Sequence, residues 1–234
     1  MPAENHTRLC GWQKSSFIDF PGTVSTVLFL CGCNLRCPYC HNPGIVKGEF
    51  EPIDFADIKE YILKHKNFIE GAVISGGEPA INDSLQEICD ELRGFNLKIK
   101  LDTNGLLPQK INECNPDYLA LDIKTSFDKY PALLGAAYSD CAERLRQSIG
   151  IVKKMGDKAE IRITAVPGII HRDDIDSLRK ELLGVHRIFI QPFVPAQDML
   201  DPAYSSVKPY PIEELETWRG LFLQDGVDCR IRTV

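Results

Sequence analysis

Three cysteines, Cys33, Cys37 and Cys40, follow the apolar run Val24 to Leu30 with the spacing C-x3-C-x2-C, and no other feature narrows the possible folds so far. A strand that delivers its chain into three crowded thiols ends in a loop suited to a metal. Iron–sulfur clusters usually take four thiolates, and a structural zinc also wants four ligands. Three leave one coordination position open, and an open position is where a substrate can bind. A zinc knuckle completed by His41 is the rival reading of the same loop; His41 can otherwise hydrogen-bond near a cluster or help receive a partner. The other cysteines, Cys10, Cys31, Cys89, Cys114, Cys141 and Cys229, are scattered and read as buried or incidental thiols. Cys31 alternates with Cys33 at strand period, which turns its side chain to the opposite face. Nine cysteines is an odd count, unlike a secreted disulfide framework, so a reducing compartment is expected.

The length of 234 residues, with 44% hydrophobic and 26% charged side chains, suits one well-buried domain over residues 1–234. Within it we expect an N-terminal extension over 1–23, a core over 24–193, and a C-terminal loop, helix and strand over 194–234. A net charge of -6 without any block of five basic residues argues against nucleic acid as a partner. The longest strongly apolar run, Val24 to Cys33, falls far short of the roughly 20 residues of a membrane helix, and no secretory leader pattern opens the chain. A cytoplasmic protein with no membrane partner is expected.

Short β-branched runs alternate with longer amphipathic ones. Val24 to Leu30, Gly71 to Ser75, Leu97 to Asp102, Tyr118 to Lys124, Glu160 to Val166 and Arg187 to Pro192 read as strands buried on both faces. Helical spacing covers Asp54 to Lys66, Ser84 to Arg93, Leu107 to Cys114, Asp140 to Met155 and Asp173 to Leu183, with Asp54, Asp83 and Asp173 as N-caps. Six strand-then-helix repeats imply right-handed crossovers and a parallel α/β sheet, curled as a partial (β/α) barrel or left open. A last helix near Ile212 to Leu223 and a short run, Val227 to Ile231, complete the chain, and the Pro-rich stretch Pro192 to Pro211 reads as a loop over one barrel mouth.

Chemistry-bearing residues recur where these strands end, the end at which active sites of such barrels gather. The second strand closes on Ser75-Gly76-Gly77-Glu78-Pro79, where two glycines let a backbone approach a ligand. The third closes on Leu101-Asp102-Thr103-Asn104-Gly105 and the fourth on Leu121-Asp122-Ile123-Lys124. Arg162 lies in the fifth, before Val166-Pro167-Gly168. Taken singly these are a turn, helix caps with a surface ion pair, and a strand-face cation.

Together, the cysteine spacing with Tyr39 before the last thiol and the strand-end segments resemble the radical S-adenosylmethionine (SAM) superfamily. The resemblance implies a partial (β/α)6 barrel and a [4Fe-4S] cluster on Cys33, Cys37 and Cys40, whose unique iron is chelated by the methionine part of SAM. Tyr39, Gly76, Gly77, Glu78, Pro79, Asp102, Thr103, Asn104, Lys124 and Arg162 are the implied cofactor contacts. The GGEP segment would receive the methionyl ammonium, Lys124 the carboxylate, and Asp102, Thr103, Asp122 and the Ala120 carbonyl a monovalent cation. The LDTNG-like and LDxK-like segments, with Cys40-His41-Asn42-Pro43, are similar to the glycyl-radical-enzyme activases. Such an enzyme cleaves SAM reductively, and the 5'-deoxyadenosyl radical takes hydrogen from a glycine of a partner. Gly11 to Gly22 resembles one branch, which activates anaerobic ribonucleoside-triphosphate reductase, and an electron donor such as flavodoxin or ferredoxin is a further implied partner. The rivals are activation of pyruvate formate-lyase, a 7-deazaguanine-type enzyme acting on a small molecule, which has CDT where this chain has Cys40-His41-Asn42, and a non-enzymatic iron–sulfur module.

Overall fold

The computed structural model describes residues 9–134 and 139–232, so the first eight residues of the expected N-terminal extension lie outside it. The chain divides into two compact units, Met1–Asn34 with Gly44–Thr103 and Gln109–Tyr118, and Leu35–Pro43 with Asn104–Pro108 and Leu119–Val234.

The first unit contains β1 (Leu9–Ser16), β2 (Ser25–Leu30), α1 (Pro43–Lys47), α2 (Phe55–Lys64), β3 (Gly71–Gly76), α3 (Leu85–Gly94), β4 (Lys98–Thr103) and most of α4 (Pro108–Cys114). Its strands lie in the order β1-β2-β3-β4. β2 runs parallel to β3, pairing Ser25 with Gly71 and Leu30 with Gly76, and β3 runs parallel to β4. The sequence did not announce β1, whose Leu-Cys-Gly-Trp-Gln-Lys-Ser-Ser has no sustained alternation. It pairs antiparallel to β2 across two register shifts, and Trp12 Nε1 donates to Thr26 Oγ1 at 2.8 Å. Gly11 permits this, because a Cβ there would stand 3.1 Å from the Phe29 ring. Phe20, Val27, Val73 and Tyr118 form a buried cluster at the start of the parallel strands.

The second unit contains β5 (Tyr118–Ile123), α5 (Tyr130–Leu134), α6 (Cys141–Met155), β6 (Ala159–Ala165), α7 (Arg172–Leu182), β7 (Arg187–Pro192), α8 (Ile212–Gln224) and β8 (Asp228–Ile231). All its strand pairs are parallel, in the order β5-β6-β7-β8. The expected α/β architecture with parallel strands is therefore what the chain adopts: β2 to β7 are the six expected strands, β8 is the expected terminal run, and β1 is added. Among the described residues no helix is long and apolar enough to cross a membrane.

Helix starts depart from expectation at two places. Asp54 caps α2, accepting from Ala56 N–H at 2.8 Å. At α3 the N-cap is Ser84 rather than Asp83, without a side-chain cap bond. At α7 the cap is His171, because the Asp174 carboxylate accepts its N–H at 2.8 Å and turns the chain helical before Asp173.

Leu28, fully buried in β2, gives a direct measure of the first unit's packing. Leu28→Ala should lower unfolding stability by about 2–5 kcal/mol, whereas Leu28→Met should cost less than about 1.5 kcal/mol, as read from urea denaturation of the two variants.

Candidate active site

In the first unit the ends of β2 and β3 are pressed together. Gly77 N–H donates to Leu30 O at 3.1 Å and Glu78 N–H to Gly32 O at 2.9 Å. A Cβ on Gly77 would lie 2.0 Å from the Gly32 carbonyl oxygen, and one on Gly76, whose φ is +122°, 2.2 Å from Leu30 O. Only glycine fits either position. The loop carrying Cys33 thus rests on the backbone of the Gly-Gly-Glu-Pro turn. Glu78 is buried and braces that turn: its Oε1 accepts from Ala80 N–H at 3.0 Å and from Thr103 Oγ1 at 2.6 Å. Pro79 opens the short 3-10 turn Pro79–Ile81. Asp102 accepts from Lys100, a nearly fully buried lysine two residues earlier on the same strand face.

In the second unit Asp122 gathers two of the other expected residues. Arg162 Nε donates to its Oδ1 at 2.6 Å and Lys124 Nζ to its Oδ2 at 3.1 Å. Burial alone would raise the Asp122 carboxyl, but the Arg162 and Lys124 cations overcome it and hold the group well below the usual carboxylate range. Burial works against the Lys124 ammonium as well, yet Asp122 and Cys37 leave it above its ordinary value. Burial pushes the Cys37 thiol up, and Lys124 pulls against that rise. The buried Tyr130 hydroxyl accepts the Lys124 backbone N–H at 2.9 Å. Asn104 Oδ1 accepts from Leu106 N–H at 3.2 Å, within a turn completed by Gly105 at φ +76°. Ala120 is buried in mid-strand, in register with Glu160.

Tyr39 is buried among Val166, Phe193 and Met199, with Tyr204 packed against the same cluster. Its ring meets Phe193 and Tyr204, each at 6.4 Å between centroids, and its hydroxyl is buried. The loop after β7 is fastened to the cysteine loop by Asp201 N–H to Pro38 O at 2.9 Å and by His41 Nε2 with Val194 O at 2.8 Å. His41 is thereby a local tether.

Several contributors were not singled out from the sequence. Lys100 is one; the pair of buried Glu160 with Arg232, at 3.0 Å, is another, with the Arg232 guanidinium 3.8 Å over the Phe189 ring. A charge set inside an apolar strand run, two positions before a site residue, was the available signal: Lys100 before Asp102, Glu160 before Arg162. Phe193, Asp201 and Tyr204 had none, because their partners lie some 160 residues upstream in the chain.

The residues fit a cluster and SAM. Cys33, Cys37 and Cys40 are each part-exposed, whereas Cys31, Cys89, Cys114, Cys141 and Cys229 are buried. Cys89 and Cys114 meet each other at 2.9 Å, and Cys10 donates to Phe29 O at 3.2 Å. Two glycines clear the space beside Cys33, and a carboxylate-bound pair of cations stands near Cys37. The described residues present no group of three or more His, Cys, Asp or Glu side chains placed to hold a metal ion; a cluster, whose irons each take a separate thiolate, does not require one.

The model of the Radical SAM superfamily matches residues 27–181, and the chain belongs to that superfamily. A Methanocaldococcus jannaschii protein named, provisionally, as the glycyl-radical enzyme activating enzyme MJ1227 is 33% identical over 236 residues, covering 94% of this chain and 93% of its own. A pyruvate formate-lyase-activating enzyme of Staphylococcus epidermidis is 31% identical over 186 residues, covering 72% of this chain and 71% of its own. Among solved structures, TYW1 with a lysine–pyruvate adduct bound overlays 86% of this chain and 73% of its own with a TM-score of 0.62 at 16% identity, a likeness of fold. The chain is thus an enzyme of the radical SAM, glycyl-radical-activating type, a family that works with a [4Fe-4S] cluster and SAM.

The Asp122 carboxylate is ionised more readily folded than unfolded. Its stabilisation is therefore complete above the unfolded value of about 3.9 and is lost as pH falls through the lower folded value. Asp122→Asn should cost about 2 kcal/mol at neutral pH, and the gap to wild type should stay level from about pH 8 to 5 and close below about pH 4. Urea midpoints measured along that pH series check both statements.

Proposed function

We propose that this chain activates anaerobic ribonucleoside-triphosphate reductase by forming a radical on one of its glycines. The observation that carries the activase reading is the Asp122, Lys124 and Arg162 constellation, on the ends of neighbouring parallel strands and beside Cys37. When bound, a [4Fe-4S] cluster and SAM supply one-electron cleavage of a carbon–sulfur bond and a 5'-deoxyadenosyl radical able to take hydrogen from a glycine α-carbon.

The chain's residues have the remaining tasks. Cys33, Cys37 and Cys40 each bind one iron. Lys124 and Arg162 attract the methionyl carboxylate, and Asp122 fixes both cations in place. Gly76 and Gly77 let the ammonium approach backbone carbonyls, with Glu78 and Thr103 keeping that turn in shape and Pro79 starting the bend that follows. Tyr39 and Asn104 border the nucleoside side, and Asp102, Thr103, Asp122 and the Ala120 carbonyl hold a monovalent cation. A flavodoxin or ferredoxin supplies the electron. The choice of reductase rests on the Gly11 to Gly22 segment occurring with Cys40-His41-Asn42 and Asp102-Thr103-Asn104-Gly105.

Protein reconstituted without oxygen should bind about four irons, and Cys33→Ala, Cys37→Ala or Cys40→Ala should each abolish this, while Cys31→Ala should not. Lys124→Ala should keep its iron and bind SAM about tenfold or more weaker, the loss expected of one charge-assisted contact, as measured by equilibrium dialysis. The reduced protein, SAM and the reductase, mixed anaerobically, should give a glycyl-radical doublet in electron paramagnetic resonance. A doublet with pyruvate formate-lyase and never with a reductase keeps the activase chemistry and overturns the partner; consumption of a small molecule with no glycyl enzyme responding overturns the activase reading itself.

A further inference from the structure

We propose that the monovalent cation held by Asp102 is the ammonium group of Lys100, so that this chain carries the cation on its own β4 and takes up no free ion there; this rests on the site reading above, in which Asp102 holds such a cation. Only 2% of Lys100 is exposed, and it lies level with Val73 in the parallel pairing of β4 with β3. A lysine is almost never so buried unless its charge is matched. Asp102 matches it. Residues two apart on a strand share a face and are about 7 Å apart along it. The four-carbon stem of a lysine spans that gap, and the ammonium donates to Asp102 Oδ1.

The surroundings keep this pair together. The Lys100 side chain is 3% exposed and that of Asp102 12%, so water reaches the carboxylate more readily than the ammonium. Nearby carboxylates in the same unit have other tasks. Glu78 Oε1 accepts from Ala80 N–H and from Thr103 Oγ1, and Asp117 Oδ2 accepts from Ile99 N–H at 2.8 Å.

A free ion at the same carboxylate does not fit beside the ammonium. Together Asp102 and Lys100 present no net charge to attract one. A sodium or potassium ion there would stand about 4 Å from a like charge, which at the effective dielectric of such a site weakens its binding about a thousandfold. Nor can the ammonium make room, since leaving Asp102 would strand it unpaired inside the strand run. Lys100 is thus a positioning residue. It fixes the charge and direction of Asp102 at the strand end that Thr103 joins to the Gly-Gly-Glu-Pro turn.

The test uses the holoenzyme in acetate salts, with tetramethylammonium as a cation too bulky to enter the site. By equilibrium dialysis, wild type should bind SAM in tetramethylammonium acetate within about twofold of its affinity in potassium acetate, the margin left by general screening. Lys100→Met should keep wild-type iron content, bind SAM about tenfold or more weaker in tetramethylammonium acetate, and recover along a saturable curve as potassium is added. It should also gain a saturable thallium(I) site, seen by nuclear magnetic resonance, that wild type lacks and Lys100→Met/Asp102→Asn loses again. A merely structural lysine would give neither the recovery nor the thallium(I) site. The proposal is overturned by a wild type that binds SAM only with added potassium, by a Lys100→Met that binds as wild type without it, or by a loss that potassium does not recover. Should Lys100→Met fail to fold, the wild type's own response to potassium decides. A failed glycyl-radical assay leaves these binding measurements standing, so the activase reading and this proposal fail separately.

Discussion

The site in the first unit depends on a backbone-to-backbone contact that only glycine permits. Parallel pairing of β2 with β3 carries Leu30 level with Gly76, and beyond that point the two chains would ordinarily splay into separate loops. Instead the N–H groups of Gly77 and Glu78 continue the ladder onto the carbonyls of Leu30 and Gly32. With no Cβ at Gly76 or Gly77, the loop that carries Cys33 lies directly against the turn. Glu78 then secures the turn to β4 through Thr103. Three strand ends are thereby tied together before any cofactor contributes.

The second unit solves a different problem, which is how to keep charge inside a parallel sheet. Asp122 and Arg162 are in direct register on β5 and β6, so their side chains share a face and meet at hydrogen-bond distance. Lys124 joins from two residues further along the same strand. Asp122 thereby holds two cations at once, so no ionised side chain of the three is buried alone. Buried Glu160, paired with Arg232 at 3.0 Å, is a second charge held within the same strand run.

The positions of β2 to β7 and their parallel pairing were legible in the sequence, because β-branched runs and strand-end motifs are local signals. What escaped was non-local or locally contradictory. β1 has a glycine and a polar tail where a strand should alternate, and it exists because β2 offers an unpaired edge. Lys100 and Glu160 look like interruptions of apolar runs and prove to be the inward polar positions of those strands. Asp173 resembled a helix cap, yet a side chain one residue later fixed the start of α7. The Pro-rich segment read as a loop over a mouth, but nothing in its composition disclosed that it is fastened to the cysteine loop.

That fastening bears on what the protein itself contributes to the chemistry. A loop with three thiols and one proline has little internal structure to resist the pull of a metal centre, so its shape must come from what packs on it. Asp201 and Val194 meet the backbone of Pro38 and the ring of His41, while Phe193, Met199 and Tyr204 enclose Tyr39 between the second and third cysteines. Hydrogen bonding and solvent exclusion around the sulfurs are the terms that set the potential of an iron–sulfur centre. In this chain the segment between β7 and α8 contributes apolar side chains to the cluster that packs against Cys37 and Tyr39. The C-terminal third, generic by composition, therefore shapes a loop far upstream in the chain.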